Sequence, residues 1–135
     1  LGVPVTDNVD EFLNYQGNIV FNAGDRAMEV FAKTHLGYQH NKGLDFIAKF
    51  NQTFIIGEAK FLTDFGGHQN AQFNDALATM RASLAPCSRR VKTIAILDGV
   101  LYIAGRNRMF ADLARFDDNE VVVSAVLLRD YLFSV

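Results

Sequence analysis

Residues 43–60 constrain the fold more than any other segment, because two short runs rich in apolar residues flank a polar pair, Asn51-Gln52. Apolar, β-branched and aromatic residues on either side of a short polar break are typical of a hairpin. The pattern predicts one strand at about 44–50 and a second at 53–61, joined by a two-residue turn. Both predicted strands are largely apolar on each face, which indicates a sheet that is covered on both sides.

The register of this hairpin brings charged residues together on one face. With a two-residue turn, Phe50 faces Thr53, and the same register carries Asp45 opposite Glu58. Lys60 lies two residues beyond Glu58 and projects from the same face. Facing carboxylates, with Cβ atoms about 4.5–5.5 Å apart, destabilise a sheet unless a positive group lies between them. A divalent metal ion is the simplest such group. The alternative is a structural cluster, in which Lys60 neutralises one acid and water solvates the other.

Composition limits the class of protein. The 135 residues fit one domain, residues 1–135, and a leucine in place of an initial methionine suggests a fragment of a longer chain. The net charge of -2 argues against a passive nucleic-acid coat but is compatible with a metal-dependent nuclease, because the metal supplies positive charge locally. The single cysteine, Cys87, excludes an intramolecular disulfide and a cysteine-rich zinc site. No secretory segment and no apolar stretch long enough for a membrane span occurs, so we expect a cytoplasmic protein.

Helices and further strands are predicted on both sides of the hairpin. Helical spacing predicts helices at about 7–16, 22–36, 69–84 and 107–115, with a short helix or coil at 129–134. Further strands are predicted at 91–97, at 100–104 after an Asp98-Gly99 hairpin turn, and at 120–128. This order predicts an α/β fold with a mixed central sheet flanked by helices.

Two short motifs on the hairpin resemble a known signature. Leu44-Asp45, followed after twelve residues by Glu58-Ala59-Lys60, resembles the PD-(D/E)xK nuclease superfamily, with leucine where that family often has proline. The segment 63–73, a Gly-Gly loop that leads into a glutamine-bearing helix, resembles type II restriction endonucleases. The resemblance covers roughly residues 22–97 and implies a restriction-endonuclease-like core.

What the resemblance implies is Mg²⁺-dependent hydrolysis of DNA phosphodiester bonds. Asp45 and Glu58 would bind magnesium, with the backbone carbonyl of Ala59 as a third ligand. Lys60 would orient the attacking water and stabilise the developing negative charge. Glu29, in the preceding helix, is a candidate further metal ligand; its alternative role is a surface ion pair with the lysine four residues later.

Other polar residues are weaker candidates for contacts with substrate. Gln69 and Gln72 extend the helix after the hairpin toward its start, where they would bind phosphate or Lys60, or would serve as ordinary polar residues at a helix start. Basic residues that would neutralise DNA phosphates, or simply form a solvated edge, are Arg89, Arg90, Lys92, Arg106 and Arg108.

Several functions fit this sequence. The leading hypothesis is a restriction-type endonuclease that acts on duplex DNA as a homodimer, in which two sites cut two strands. A DNA repair, junction-resolving or nicking nuclease with the same core is the second, because specificity lies in loops and in oligomeric geometry. A non-catalytic interaction domain of this fold and an ordinary α/β domain with a chance motif are the remaining alternatives.

Overall fold

Six strands form one mixed sheet, ordered in space as they are along the chain. The structure, a computed structural model, describes residues 1–105 and 107–135. Its strands are β1 (Val5–Thr6), β2 (Ile19–Phe21), β3 (Phe46–Phe50), β4 (Thr53–Leu62), β5 (Arg90–Gly99) and β6 (Val121–Val123). Its helices are α1 (Val9–Asn14), α2 (Asp25–His35), α3 (Gly67–Met80), α4 (Arg108–Leu113) and α5 (Ala125–Ser134), with a short 3₁₀ helix at Val100–Tyr102. The predicted α/β class, a mixed sheet flanked by helices, is confirmed.

The hairpin forms in the predicted register. Strands β3 and β4 pair antiparallel, with Phe50 facing Thr53. Asn51 and Gln52 have φ angles of 50° and 63°, and two successive left-handed residues are the mark of the tight turn that matches strand twist. The side chain of Asn51 donates to the carbonyl of Val135 at 2.9 Å, so the turn is tied to the end of the chain. Strand β2 continues the antiparallel pairing on one side, and β5 and β6 extend the sheet in parallel on the other.

The two faces of the sheet are covered by different helices. On the α2–α3 face, α1 and α2 pack on the β3–β4 hairpin, and α3 and α4 pack on the far ends of β4 and β5. On the opposite face, α5 covers the hairpin through Leu132. Phe61, near the end of β4 on that second face, is 67% exposed, so the predicted double coverage fails at this end. None of the helices in the described residues is long and apolar enough to span a bilayer.

The predicted hairpin at Asp98-Gly99 is wrong. Strand β5 continues through Gly99, and the chain then turns into the 3₁₀ helix instead of returning as a strand at 100–104. A returning strand needs a free edge beside β5, but both edges are occupied by parallel partners, β4 and β6. Gly99 has a φ of 105°, and a Cβ there would clash with the carbonyl of Leu62, so glycine is required for the strand to end at this point.

The apolar run at 120–128 also divides differently from the prediction. Strand β6 ends at Val123, and Ser124 then caps α5, since its hydroxyl accepts from the backbone N–H of Leu127. The carboxylate of Asp98 accepts from the N–H of Ala125 at 2.9 Å and strengthens the same helix start. Helix α3 begins and ends earlier than the predicted 69–84.

Replacement of Tyr102 by phenylalanine tests the turn after β5, because the contribution of Tyr102 to stability depends on pH. The Tyr102 hydroxyl donates to the carbonyl of Leu97 at 2.7 Å, and burial together with Asp98 raises the pKa of Tyr102 from 10.0 to about 12. A pKa that is higher in the folded state stabilises the fold below pH 10 and loses that contribution as the pH rises toward 12. Urea unfolding should show Tyr102→Phe about 1 kcal/mol less stable at pH 8. The difference should shrink above pH 10; a difference that stays constant would contradict this prediction.

Candidate active site

One edge of β4 is free of strand pairing near its end, and Asp45 occupies it. Strand β3 begins at Phe46, which pairs with Gly57, whereas β4 continues to Leu62. Beyond that last pair, the Asp45 carboxylate accepts from the backbone N–H of Ala59 at 3.0 Å. In a strand, the N–H and C=O of one residue point to the same side, so the carbonyl of Ala59 faces the same edge. Asp45 therefore accepts the hydrogen bond that a neighbouring strand would otherwise accept. Among the described residues, the carbonyl of Ala59 stays unpaired by any strand on the same edge, beside the Asp45 carboxylate.

Glu58 is a buried carboxylate in the gap between the α2 and α3 packing clusters. It is 3% exposed, and its Oε1 atom lies 3.0 Å from the ammonium of Lys60 and 3.0 Å from that of Lys42. Its other oxygen, Oε2, is buried and has no hydrogen-bond partner among the described residues. A buried carboxylate oxygen without a partner is costly, and a cation ligand would satisfy it.

The pKa of Lys60 reflects burial and three nearby carboxylates, Glu58, Asp45 and Asp75. Burial alone lowers the pKa of Lys60, because it disfavours the charged form. The hydrogen bond with Glu58 and the charges of Glu58, Asp45 and Asp75 act against burial, and the pKa ends above its usual value. Glu58 and Lys60 are in direct contact, and Asp45 reaches the same stretch of β4 at Ala59. That the Asp45 and Glu58 carboxylates share one face stays a prediction.

Lys42 and Asp75 complete a charged cluster around Glu58 and Lys60, and neither was predicted from the sequence. Lys42 lies in the loop before β3, and its ammonium bridges Glu58 and Asp75, at 2.5 Å from the latter. Asp75 projects from α3 and also lies 3.8 Å from Lys60. A weak signal existed for Asp75, which lies one helical turn after Gln72. No local pattern pointed to Lys42, because its partners come from distant elements.

Glu29 lies on α2 and is engaged by basic neighbours. Its carboxylate lies 2.6 Å from Lys33 and 3.5 Å from Arg26, and the hydrogen bond from Lys33 is the main reason that its pKa is lowered. The ion pair with Lys33 that was expected as the alternative is therefore present, but Glu29 is buried and does not lie at the surface as that alternative assumed. Burial, with smaller contributions from Glu58 and Glu29, raises the pKa of Tyr38 to about 12.

The two predicted glutamines use their side chains locally. The Oε1 atom of Gln69 accepts from the backbone N–H of Thr63 at 2.9 Å, which fixes the loop between β4 and α3. The amide of Gln72 pairs with His68 one turn earlier at 3.0 Å. Their proposed contacts with phosphate or Lys60 stay predictions.

The basic residues divide between the two ends of the sheet. Arg90 pairs with Thr53 at the start of β5, whereas Glu58 pairs with Ala95, about 16 Å further along the strand. The neighbouring basic residues of this end are Arg89 and Lys92. Arg89 donates to the carbonyl of His35, a structural contact. Arg108 is exposed at the start of α4, and Arg106 lies outside the described residues.

The oxygen atoms at this edge fit a hard divalent cation. Carboxylates from Asp45 and Glu58 and the carbonyl of Ala59 are the ligands that Mg²⁺ prefers, and Mg²⁺ keeps several waters in its remaining positions. Within residues 1–105 and 107–135, no three His, Cys, Asp or Glu side chains converge closely enough to hold a metal. A cation here would accordingly depend on two carboxylates, a backbone oxygen and water, and the unpartnered Oε2 of Glu58 is suited to it.

Comparison with known protein families gives a match over most of the chain. The family described as Tsp45I type II restriction enzyme matches residues 4–135 of the chain. No curated protein and no solved structure matches. The match extends over nearly the whole chain and includes the hairpin, the loop before it and all five helices. The chain therefore belongs to the Tsp45I family of type II restriction enzymes and has a restriction-endonuclease-like fold.

Proposed function

We propose that this chain is a Mg²⁺-dependent restriction endonuclease whose metal is held by Asp45, Glu58 and the carbonyl of Ala59. The family indicates an endonuclease that acts on DNA; the metal, the residues and their roles are the proposal. One observation carries it. The buried Oε2 atom of Glu58 has no hydrogen-bond partner among the described residues, and the Asp45 carboxylate is bound to the next residue of β4, at the N–H of Ala59.

The charges of the cluster support a phosphodiester as substrate. Asp45, Glu58 and Asp75 supply three negative charges, against the two positive charges of Lys42 and Lys60. One bound dication changes the net charge of this cluster from minus one to plus one. A single phosphodiester anion then restores neutrality, which favours a DNA backbone over a neutral substrate.

Each residue has a role that its position allows. A bound Mg²⁺ lowers the pKa of a water and neutralises charge on the attacked phosphate. Asp45 and Glu58 would supply carboxylate ligands. Each carboxylate is held in place by its neighbours, Asp45 by the N–H of Ala59 and Glu58 by two lysines. The Lys60 ammonium lies beside Glu58, the proposed metal ligand. From there it would orient the attacking water and stabilise the developing negative charge. For Glu29, Gln69 and Gln72 we propose no direct contact with the metal. Their proposed contacts are with metal-bound water or with phosphate.

A plasmid assay with a matched pair of variants tests the proposal. Supercoiled DNA should be cut in Mg²⁺ and left intact in EDTA. Lys60→Met should lower the cleavage rate by about 100-fold or more, because it removes a positive charge from the reacting centre. Arg115→Met removes an exposed cation paired with Asp112 on α4 and should cut like the wild type.

The products decide between the nuclease classes. Discrete fragments support a restriction enzyme, whereas random nicks or selective cutting of branched DNA would support a repair or junction-resolving enzyme instead. Cleavage that survives EDTA would contradict the metal-dependent mechanism. We also propose a homodimer, because two strands must be cut and each chain carries one such site. Sedimentation equilibrium at assay concentrations would contradict this if it gave a monomer mass in the presence of DNA and metal.

A further inference from the structure

Lys42 makes the closest charged contacts of the cluster, although it belongs to neither motif of the hairpin. Its ammonium lies 2.5 Å from Asp75 Oδ2 and 3.0 Å from Glu58 Oε1. It thereby links the strand that carries the acid to helix α3. The side chain of Lys42 is 21% exposed, so these contacts are more shielded from solvent than ordinary surface pairs.

The backbone on both sides of Lys42 is held by packing. A Cβ on Gly43 would lie 2.9 Å from the side chain of Asp25, so the loop approaches α2 too closely for a larger residue. Leu44 is fully buried, and Tyr38, at the other end of the loop, is buried and forms a β-bridge with Leu84. Packing thus restrains the backbone around Lys42, and the two carboxylates hold its ammonium.

We propose that Lys42 is a second lysine of the active site, anchored by Asp75, and that it positions Glu58 by holding its Oε1 atom. The inference rests on the proposed function. With Oε1 held, the buried Oε2 atom is the one presented to the metal. Lys42 acts through Glu58 and is a positioning residue, whereas Lys60 acts on the water and phosphate.

The distances explain why the two lysines divide these tasks. Both ammonium groups lie 3.0 Å from Glu58 Oε1, but Asp75 lies 2.5 Å from Lys42 and 3.8 Å from Lys60. A cation bound at Glu58 would weaken the attraction of that carboxylate for both lysines. Lys42 would keep Asp75 as a close partner, so Lys60 would be the lysine free to contact water and phosphate.

Lys42→Met and Lys42→Arg, with Arg115→Met as the control, test this role. Four quantities are measured on each protein: kcat and KM for cleavage, the Kd for Mg²⁺ by calorimetry without DNA, and the Kd for duplex DNA in EDTA. We expect Lys42→Met to lower kcat by about 10–100-fold, as loss of a group that orients a metal ligand does. KM and DNA affinity should change by less than about threefold, and arginine should restore part of kcat, because it keeps the charge.

The Mg²⁺ titration separates positioning from a merely structural role. Removal of a positive charge near a cation site leaves Mg²⁺ binding as tight as in the wild type or tighter, so the expected signature is a metal that binds and a reaction that is slow. Asp75→Asn should shift kcat in the same direction by a smaller factor, with Asp112→Asn as its control. Asp75→Asn also keeps the test valid if Lys42→Met fails to fold, because asparagine still accepts a hydrogen bond from Lys42.

Three results would overturn the inference. Unchanged kcat in Lys42→Met and Asp75→Asn would remove the role altogether. A loss confined to KM and DNA affinity would make Lys42 a phosphate contact. Loss of Mg²⁺ binding and thermal stability without rescue by arginine would make it a structural residue. If the wild type itself does not cut DNA in Mg²⁺, the proposed function fails, whereas cutting by Lys42→Met at the wild-type rate overturns only this inference.

Discussion

Glu58→Gln should lower Mg²⁺-dependent cleavage by at least about 100-fold, a loss comparable to the removal of a group that stabilises charge in a transition state. Glutamine keeps the shape of the side chain and one oxygen but removes the negative charge. That charge balances two ammonium groups at 3.0 Å, and we propose that it also binds the metal. Calorimetry on the same variant should show weaker Mg²⁺ binding, because a neutral amide is a poorer ligand for a hard dication than a carboxylate.

Glu120→Gln is the matched control for this variant. Glu120 is partly buried, less so than Glu58, and pairs with Arg81 at 2.6 Å, but it lies outside the charged cluster around Glu58. It should lose some stability and no cleavage activity. Thermal melting of both variants separates unfolding from loss of function. A folded Glu58→Gln protein that cuts within threefold of the wild-type rate would contradict the assignment of Glu58 as a ligand.

The hairpin could be predicted from the sequence because its information is local. Alternating apolar residues and a polar pair fix two strands, and the two-residue turn fixes the register, which carries Glu58 and Lys60 to one face. The register also predicts Asp45 opposite Glu58, but the pairing ends at Phe46 and Gly57, and the Asp45 carboxylate instead accepts from the N–H of Ala59. This part of the candidate site therefore depends on chain geometry over fewer than twenty residues.

Lys42 and Asp75 could not be predicted in the same way. Lys42 contacts a residue on β4 and another on α3, and Asp75 reaches the site only because α3 packs against the ends of β4 and β5. The error at Asp98-Gly99 has the same origin. The dipeptide is a genuine turn signal, but the parallel strands on both sides of β5 come from distant segments and leave no edge for a hairpin.

Lys49→Met should lower the free energy of unfolding by about 3 kcal/mol, because buried carbonyl groups lose a charged donor. Lys49 is 2% exposed, and its ammonium donates to the carbonyls of Phe12, Leu13 and Tyr15 at 2.9, 3.1 and 2.6 Å. These carbonyls end α1, where the helix dipole favours a cation. Burial, with a smaller contribution from Arg89, lowers the pKa of Lys49. Keeping the buried lysine charged therefore costs free energy, and its three carbonyl acceptors offset that cost.

Urea denaturation at pH 7 measures this effect, with Lys92→Met as the control. Lys92 is a partly buried lysine on β5, so it resembles Lys49 in its strand setting, and its loss should change stability by less than about 1 kcal/mol. A Lys49→Met protein as stable as the wild type would show that relief from charge burial cancels the lost hydrogen bonds. The carbonyls at the end of α1 would then need no charged donor.

The most direct test of the metal assignment is anomalous scattering from a crystal of the wild-type protein soaked in Mn²⁺, which accepts the same oxygen ligands as Mg²⁺. A peak in contact with carboxylate oxygens of both Asp45 and Glu58 is the predicted result. A peak bound at Glu29 or elsewhere on the chain without these two residues, or no peak beside Glu58 in a crystal whose protein cuts DNA, would contradict the account.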